Sequence, residues 1–84
     1  MVVRVLLFAA YREIVGAREI ELDIPVGSTV EDMFDILQQK HPTLSQLRSS
    51  TRFAVNRAIV PPQHEVRERD EVAFLQPVSG GSND

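Results

Sequence analysis

Cysteine is absent from these 84 residues, which excludes a disulfide framework, a thiolate metal site and a cysteine nucleophile or thioester. Any covalent chemistry of the chain has to use another group. Histidine is scarce: His41 and His64 stand far apart, too few for a metal site without carboxylates, and both are expected at the surface. Lysine occurs once, at Lys40, which leaves little scope for building polymers through the chain's own side chains. Basic runs are missing too. Twelve acidic residues outnumber nine basic ones, for a net charge of −3, a balance that argues against nucleic acid and suits a protein partner with a basic pocket. No long hydrophobic run occurs either. The apolar stretch from Met1 to Ala10 is broken by Arg4, lacks a charged leader and is too short to cross a bilayer, so it reads as a strand of a cytoplasmic protein with no membrane partner.

What remains is one small domain near the size at which a single core suffices, with an ordinary 43% of hydrophobic residues. Val2 to Phe8 is apolar on both alternating faces, as a central strand covered on each side would be. Ala9 to Val15 gains helix formers, and Gly16 stands where a helix C-cap belongs. Glu19 to Ile24 alternates acidic and aliphatic residues, predicting a strand with one wet face, placed at a sheet edge. After the turn Pro25-Val26-Gly27, Ser28 as N-cap with Glu31 three residues on forms a capping box. Val30, Met33, Phe34 and Leu37 then share one helical face, and Pro42 stops the helix. Thr43 to Thr51 is polar, with Leu44 and Leu47 tucking a short turn against the body. Phe53-Ala54-Val55 and Ala58-Ile59-Val60 read as strands around the turn Asn56-Arg57, Pro61-Pro62 ends the second, and Val66 anchors a charged loop. Val72 to Leu75 is the last strand. The order β, short α, β, long α, β, β, β describes an α+β roll: a mixed sheet of about five strands crossed by one main helix, with the first and last strands parallel at its centre.

The final strand runs into Gln76-Pro77-Val78-Ser79-Gly80-Gly81, followed by Ser82-Asn83-Asp84. Pro77 fixes its own φ and biases Gln76 toward an extended conformation. Gly80 and Gly81 lack a Cβ, so their backbone can pass a constriction that excludes side chains. Such a segment is suited to carrying a main-chain group into another protein's pocket, although Ser-Gly-Gly-Ser is equally the composition of a flexible linker. The division expected is a body over residues 1–76 and an extended arm over 77–84.

The blocks Val5-Leu6-Leu7-Phe8-Ala9 with Arg12-Glu13 and Gly16, Ala54-Val55-Asn56, and Asp70-Glu71-Val72-Ala73-Phe74 leading into Pro77-Val78-Ser79-Gly80-Gly81 together resemble the small subunit of molybdopterin synthase, a ubiquitin-like β-grasp sulfur carrier. The resemblance covers nearly the whole chain, and its terminal block is its most specific part. It implies a sulfur-donor subunit of a sulfurtransferase complex, a heterotetramer, with no catalytic side chains and no bound cofactor. In the family an adenylyltransferase resembling ubiquitin-activating enzymes uses ATP to adenylate the α-carboxylate of the last glycine, and a sulfur donor protein supplies the thiocarboxylate. The large subunit then accepts the sulfur onto a cyclic pyranopterin phosphate. By position Gly81 is the sulfur-bearing residue and Gly80 its slender neighbour; Phe8, Arg12, Ile59, Leu75, Pro77, Val78 and Ser79 are the implied partner contacts. For Phe8 and Leu75 a core role is equally consistent with the residue type, and Arg12 suits an ion pair with Glu13 as well as an interface.

Two features depart from the family. Ser82-Asn83-Asp84 follow the second glycine, so a peptide bond blocks adenylation until they are removed; they are a segment to be trimmed, an addition to the natural protein or part of a longer fusion. Arg69 stands where a glycine is common, and a positive φ there strains it. Two rival readings remain: a sulfur carrier for thiamine or tRNA thiolation, whose members usually lack the Pro-Val-Ser approach, and a ubiquitin-like binding module whose tail is never activated.

Overall fold

In the computed structural model, which describes residues 1–76, five strands form one mixed sheet in the order β2-β1-β5-β3-β4. The strands are β1 (Val2–Leu7), β2 (Glu19–Asp23), β3 (Arg52–Val55), β4 (Ala58–Val60) and β5 (Glu71–Leu75), with helices α1 (Ala9–Val15) and α2 (Val30–Lys40) and 3₁₀ turns over Pro42–Ser50. First and last strands pair in parallel, Val5 opposite Val72 and Leu7 opposite Phe74. β5 is the middle strand, and the acidic β2 is an edge strand as its alternation predicts.

One face of the sheet carries the core. Val3, Val5 and Leu7 of β1, Val72 and Phe74 of β5, and Phe53 and Val55 of β3 are buried against Val30, Met33, Phe34 and Leu37 of α2. Phe74 is the hub: its ring lies 5.3 Å from Phe34, 5.6 Å from Phe53 and 6.2 Å from Tyr11 between centroids, in tilted or edge-on geometries that aromatic quadrupoles favour. Leu44 is fully buried beneath the 3₁₀ turns and Leu47 partly so. Arg48 staples those turns to α2, its guanidinium 5.3 Å over the Phe34 ring and paired with Asp35 and Glu31.

Two expectations need correction. β1 is not covered on both sides: Val2 and Arg4 are exposed and Leu6 only partly buried. Its second apolar row is sheet surface, because both helices pack on the other face. The α2 cap lies one residue later than Ser28. Ser28 is held in the preceding turn, its hydroxyl and amide both donating to the Pro25 carbonyl while its own carbonyl accepts from Val66 N–H at 2.8 Å. Thr29 therefore caps, accepting from Asp32 N–H at 3.1 Å while the Asp32 carboxylate accepts from Thr29 N–H at 2.9 Å.

The turns follow backbone chemistry. Gly16 closes α1 at φ 88°, and Gly27 takes φ 93°. Asn56 and Arg57 both have positive φ, 51° and 73°, the pair of angles a two-residue hairpin loop of type I′ requires. Arg69, at φ 74°, occupies the left-handed region anticipated for that position.

Candidate functional site

The register aligns one row across the uncovered face: Leu6 opposite Ala73, Ala73 opposite Ala54, Ala54 opposite Ile59. Leu75 ends β5 on the same face, two residues beyond Ala73, and Phe8, still extended at φ −122°, carries the alternation of β1 one step past the sheet. Ile59 is 61% exposed and Phe8 48%, high values for large apolar side chains, while Leu6, Ala73 and Leu75 are half-buried and Ala54, small and in the middle of the row, is buried. Charged groups rim this row. Arg4 pairs with Glu71 at 2.8 Å and with Glu19 at 3.6 Å on one side, and Arg52 stands opposite Leu75 on the other. An apolar centre with a polar margin is the composition of a protein-docking surface.

Of the residues singled out in the sequence, the fold brings Phe8, Ile59 and Leu75 onto this face. The core alternative falls for Phe8, which lies on the far side of the sheet from α1 and α2. Arg12 is exposed in the last turn of α1, its amide 3.4 Å from the Phe8 carbonyl, and among the described residues it has no ion pair with Glu13 or any other acid. Pro77, Val78, Ser79, Gly80 and Gly81 lie outside the described residues. Leu6, Ala54 and Ala73 were not anticipated as site residues. Their signal was present in the apolar residues of β1 after Arg4 and in the small residues of β3 and β5, but only the register shows that they form one row.

Where β5 ends, a second cluster meets it. The hydroxyl of Tyr11, on α1, lies 2.7 Å from Thr51 Oγ1 and 3.3 Å from the Leu75 carbonyl and shares its one proton between these two acceptors, while Thr51 Oγ1 donates to the Leu47 carbonyl at 2.7 Å. Burial of the phenol pushes its pKa above the usual 10.0, an effect the Thr51 hydrogen bond opposes. The opposite end of β5 is fixed by different groups. Asn56 donates to Asp70 and accepts from Glu71 N–H, and Asp70 accepts from Arg67 N–H. A groove of about 550 Å³ lies beside that end, next to Asn56, His64 and Asp70. Asn56 and Asp70 are already engaged in holding the loop, so the groove is not the site that the apolar row and the strand terminus define.

The description of the ThiS family matches residues 5–81. The molybdopterin synthase sulfur carrier subunit of Arabidopsis thaliana is 39% identical over 79 residues, spanning 94% of this chain and 82% of that one. Among solved structures, a putative molybdopterin converting factor subunit 1 from Pyrococcus furiosus superposes with a TM-score of 0.83 at 26% identity, over 93% of this chain and 99% of its own. The small archaeal modifier protein 1 of Haloferax volcanii gives 0.81, also at 26% identity, over 92% and 98%. A parallel β1–β5 pair at the centre of a five-stranded sheet with α2 laid across one face is the ubiquitin-like β-grasp, and this chain belongs to the ThiS family beside the molybdopterin synthase sulfur carrier subunits.

Proposed function

We propose that this chain is the sulfur carrier subunit of a molybdopterin synthase, with Gly81 as the residue that bears sulfur. The observation that carries the reading is the likeness to a curated subunit of that name over almost the full chain, including the family match through Gly81. The fold supports it: β5, central and paired on both sides, ends at Leu75 beside an apolar face, so the segment beginning at Gln76 starts from a rigid base next to a surface fit for a partner. Chemically, a carboxylate is a poor electrophile until one oxygen becomes a good leaving group. Adenylation by an activating enzyme with ATP makes it one, and attack by a sulfur donor then displaces AMP and leaves a thiocarboxylate. The chain supplies no side-chain nucleophile, in keeping with its lack of cysteine. The bond between Gly81 and Ser82 has to be cut first. Residues 77–84, once the three-residue extension is removed, act as the arm, and the large synthase subunit receives Phe8, Leu75 and Ile59, with Pro77, Val78, Ser79 and Gly80 contacting it on the way to the pterin.

A second reading has support in the likeness to the small archaeal modifier protein 1: the same activated glycine could be joined to lysines of other proteins. One experiment separates them. The chain trimmed to Gly81 is incubated with ATP, the activating enzyme and sulfide, and its intact mass is measured before and after addition of the large subunit and cyclic pyranopterin phosphate. The mass gain of one sulfur replacing one oxygen, reversed as dithiolene forms, is the expected result. Failure to gain that mass refutes the synthase reading, as does a gain never discharged to the pterin; failure of ATP and the activating enzyme to adenylate Gly81 refutes both.

A further inference from the structure

The Tyr11 hydroxyl is not needed to fill the core. The ring already packs edge-on against Phe74, and a phenylalanine would occupy the same space. A buried hydroxyl is a cost unless it is bonded, and this one bonds at a single place, the end of the β3–β5 ladder. The last pair of that ladder is Arg52 opposite Leu75. Tyr11 reaches Thr51, the residue before Arg52, and the carbonyl of Leu75 itself. Thr51 is tied in turn to Leu47, so the contact links α1, the 3₁₀ turns and the terminus of β5. Leu75 is thus gripped through its carbonyl from the helix side while its side chain belongs to the open apolar face.

We propose that Tyr11 is a positioning residue for sulfur transfer: by holding the Leu75 carbonyl, it sets the direction in which the chain leaves the sheet at Gln76. This rests on the sulfur-carrier reading. Geometry makes the root matter. The segment from Pro77 to Gly81 can reach at most about 17 Å, so a tilt of about 10° at its origin moves the tip by about 3 Å. Freedom at the root also has to be frozen whenever a partner takes the tip, which weakens binding without changing the chemistry that follows.

The test compares Tyr11→Phe and Thr51→Val with Val66→Ala, a core change in the loop at the other end of the sheet, in the chain trimmed to Gly81. Hydrogen exchange is read at the Leu75 amide and, as reference, at Val72; KM and kcat are read for adenylation by the activating enzyme. Tyr11→Phe is expected to speed exchange at Leu75 but not at Val72, and to raise KM roughly fivefold with kcat held, the size of one neutral hydrogen bond. Thr51→Val moves both in the same direction, and Val66→Ala moves neither despite a larger loss of stability. An unchanged KM in Tyr11→Phe, or an equal rise in Val66→Ala, overturns the positioning role while leaving the sulfur carrier intact. No adenylation of the unaltered chain overturns the sulfur-carrier reading itself.

Discussion

Tyr11 and Arg69 show how far a single residue's environment can be read from its type. The tyrosine stood in the sequence as part of a short helix, and nothing adjacent announced that Thr51 and Leu75, 40 and 64 residues away, would surround its hydroxyl. Its buried phenol binds its proton more tightly in the folded chain than in the unfolded one, so the folded pKa lies above 10.0. The associated stability is therefore fully present below pH 10.0 and is lost as pH rises through the folded value. Urea midpoints measured from neutral to strongly alkaline pH are expected to fall less steeply in Tyr11→Phe than in the unaltered chain; parallel profiles would show that the phenol ionises as in water. Arg69 was legible, because a glycine preference marks a left-handed position, and φ is 74°. The left-handed region costs a residue with a Cβ about 1–2 kcal/mol, and glycine gives back about 0.5–1 kcal/mol in chain entropy. Backbone strain wins, so Arg69→Gly is expected to stabilise the fold by roughly 0.5–1 kcal/mol in chemical denaturation.

Secondary elements were legible where a pattern is local and obscure where a distant partner decides. Acidic-aliphatic alternation placed β2 at an edge, and four apolar residues at helical spacing placed α2 over the core. The cap was read one residue early because Ser28 and Thr29 both suit the role; the choice is made by Val66, whose amide takes the Ser28 carbonyl. The 3₁₀ turns over Pro42–Ser50 have no periodicity of their own and are held by Leu44 in the core and Arg48 on α2. Thr29 and Asp32 are each donor and acceptor to the other, so removing either breaks a reciprocal pair. Thr29→Ala is expected to cost about 1 kcal/mol. Thr29→Ala with Asp32→Ala should cost less than the sum of the two single changes, by about 0.5 kcal/mol or more in a double-mutant cycle. Strict additivity would mean that the two halves of the box act independently.

At the scale of the whole molecule, the two faces of the sheet do different work with the same kind of side chain. On one, Phe53 and Phe74 are shut in by Phe34 and its neighbours on α2; on the other, Phe8 and Ile59 stand exposed and Leu6 and Leu75 half-buried around two alanines. Composition alone cannot tell these faces apart, which is why β1 read as covered on both sides. The distinction is energetic and separable by mutation. Ile59 sits on the short edge strand β4, where lysine is well tolerated, so Ile59→Lys should change stability by no more than about 1 kcal/mol. On the proposed docking of the large synthase subunit to this face, the same change removes an exposed apolar anchor and buries a charge, and the affinity is expected to fall by about 30-fold or more, as for loss of an interface hot spot. Leu44→Ala inverts the pattern. It empties a fully buried site for about 2–5 kcal/mol of stability while leaving the open face untouched, so binding by the folded fraction should persist. Calorimetric titration of both variants, with unfolding followed in parallel, decides the matter: if Ile59→Lys binds as the unaltered chain does, the open face is not where the partner docks, whatever Gly81 carries.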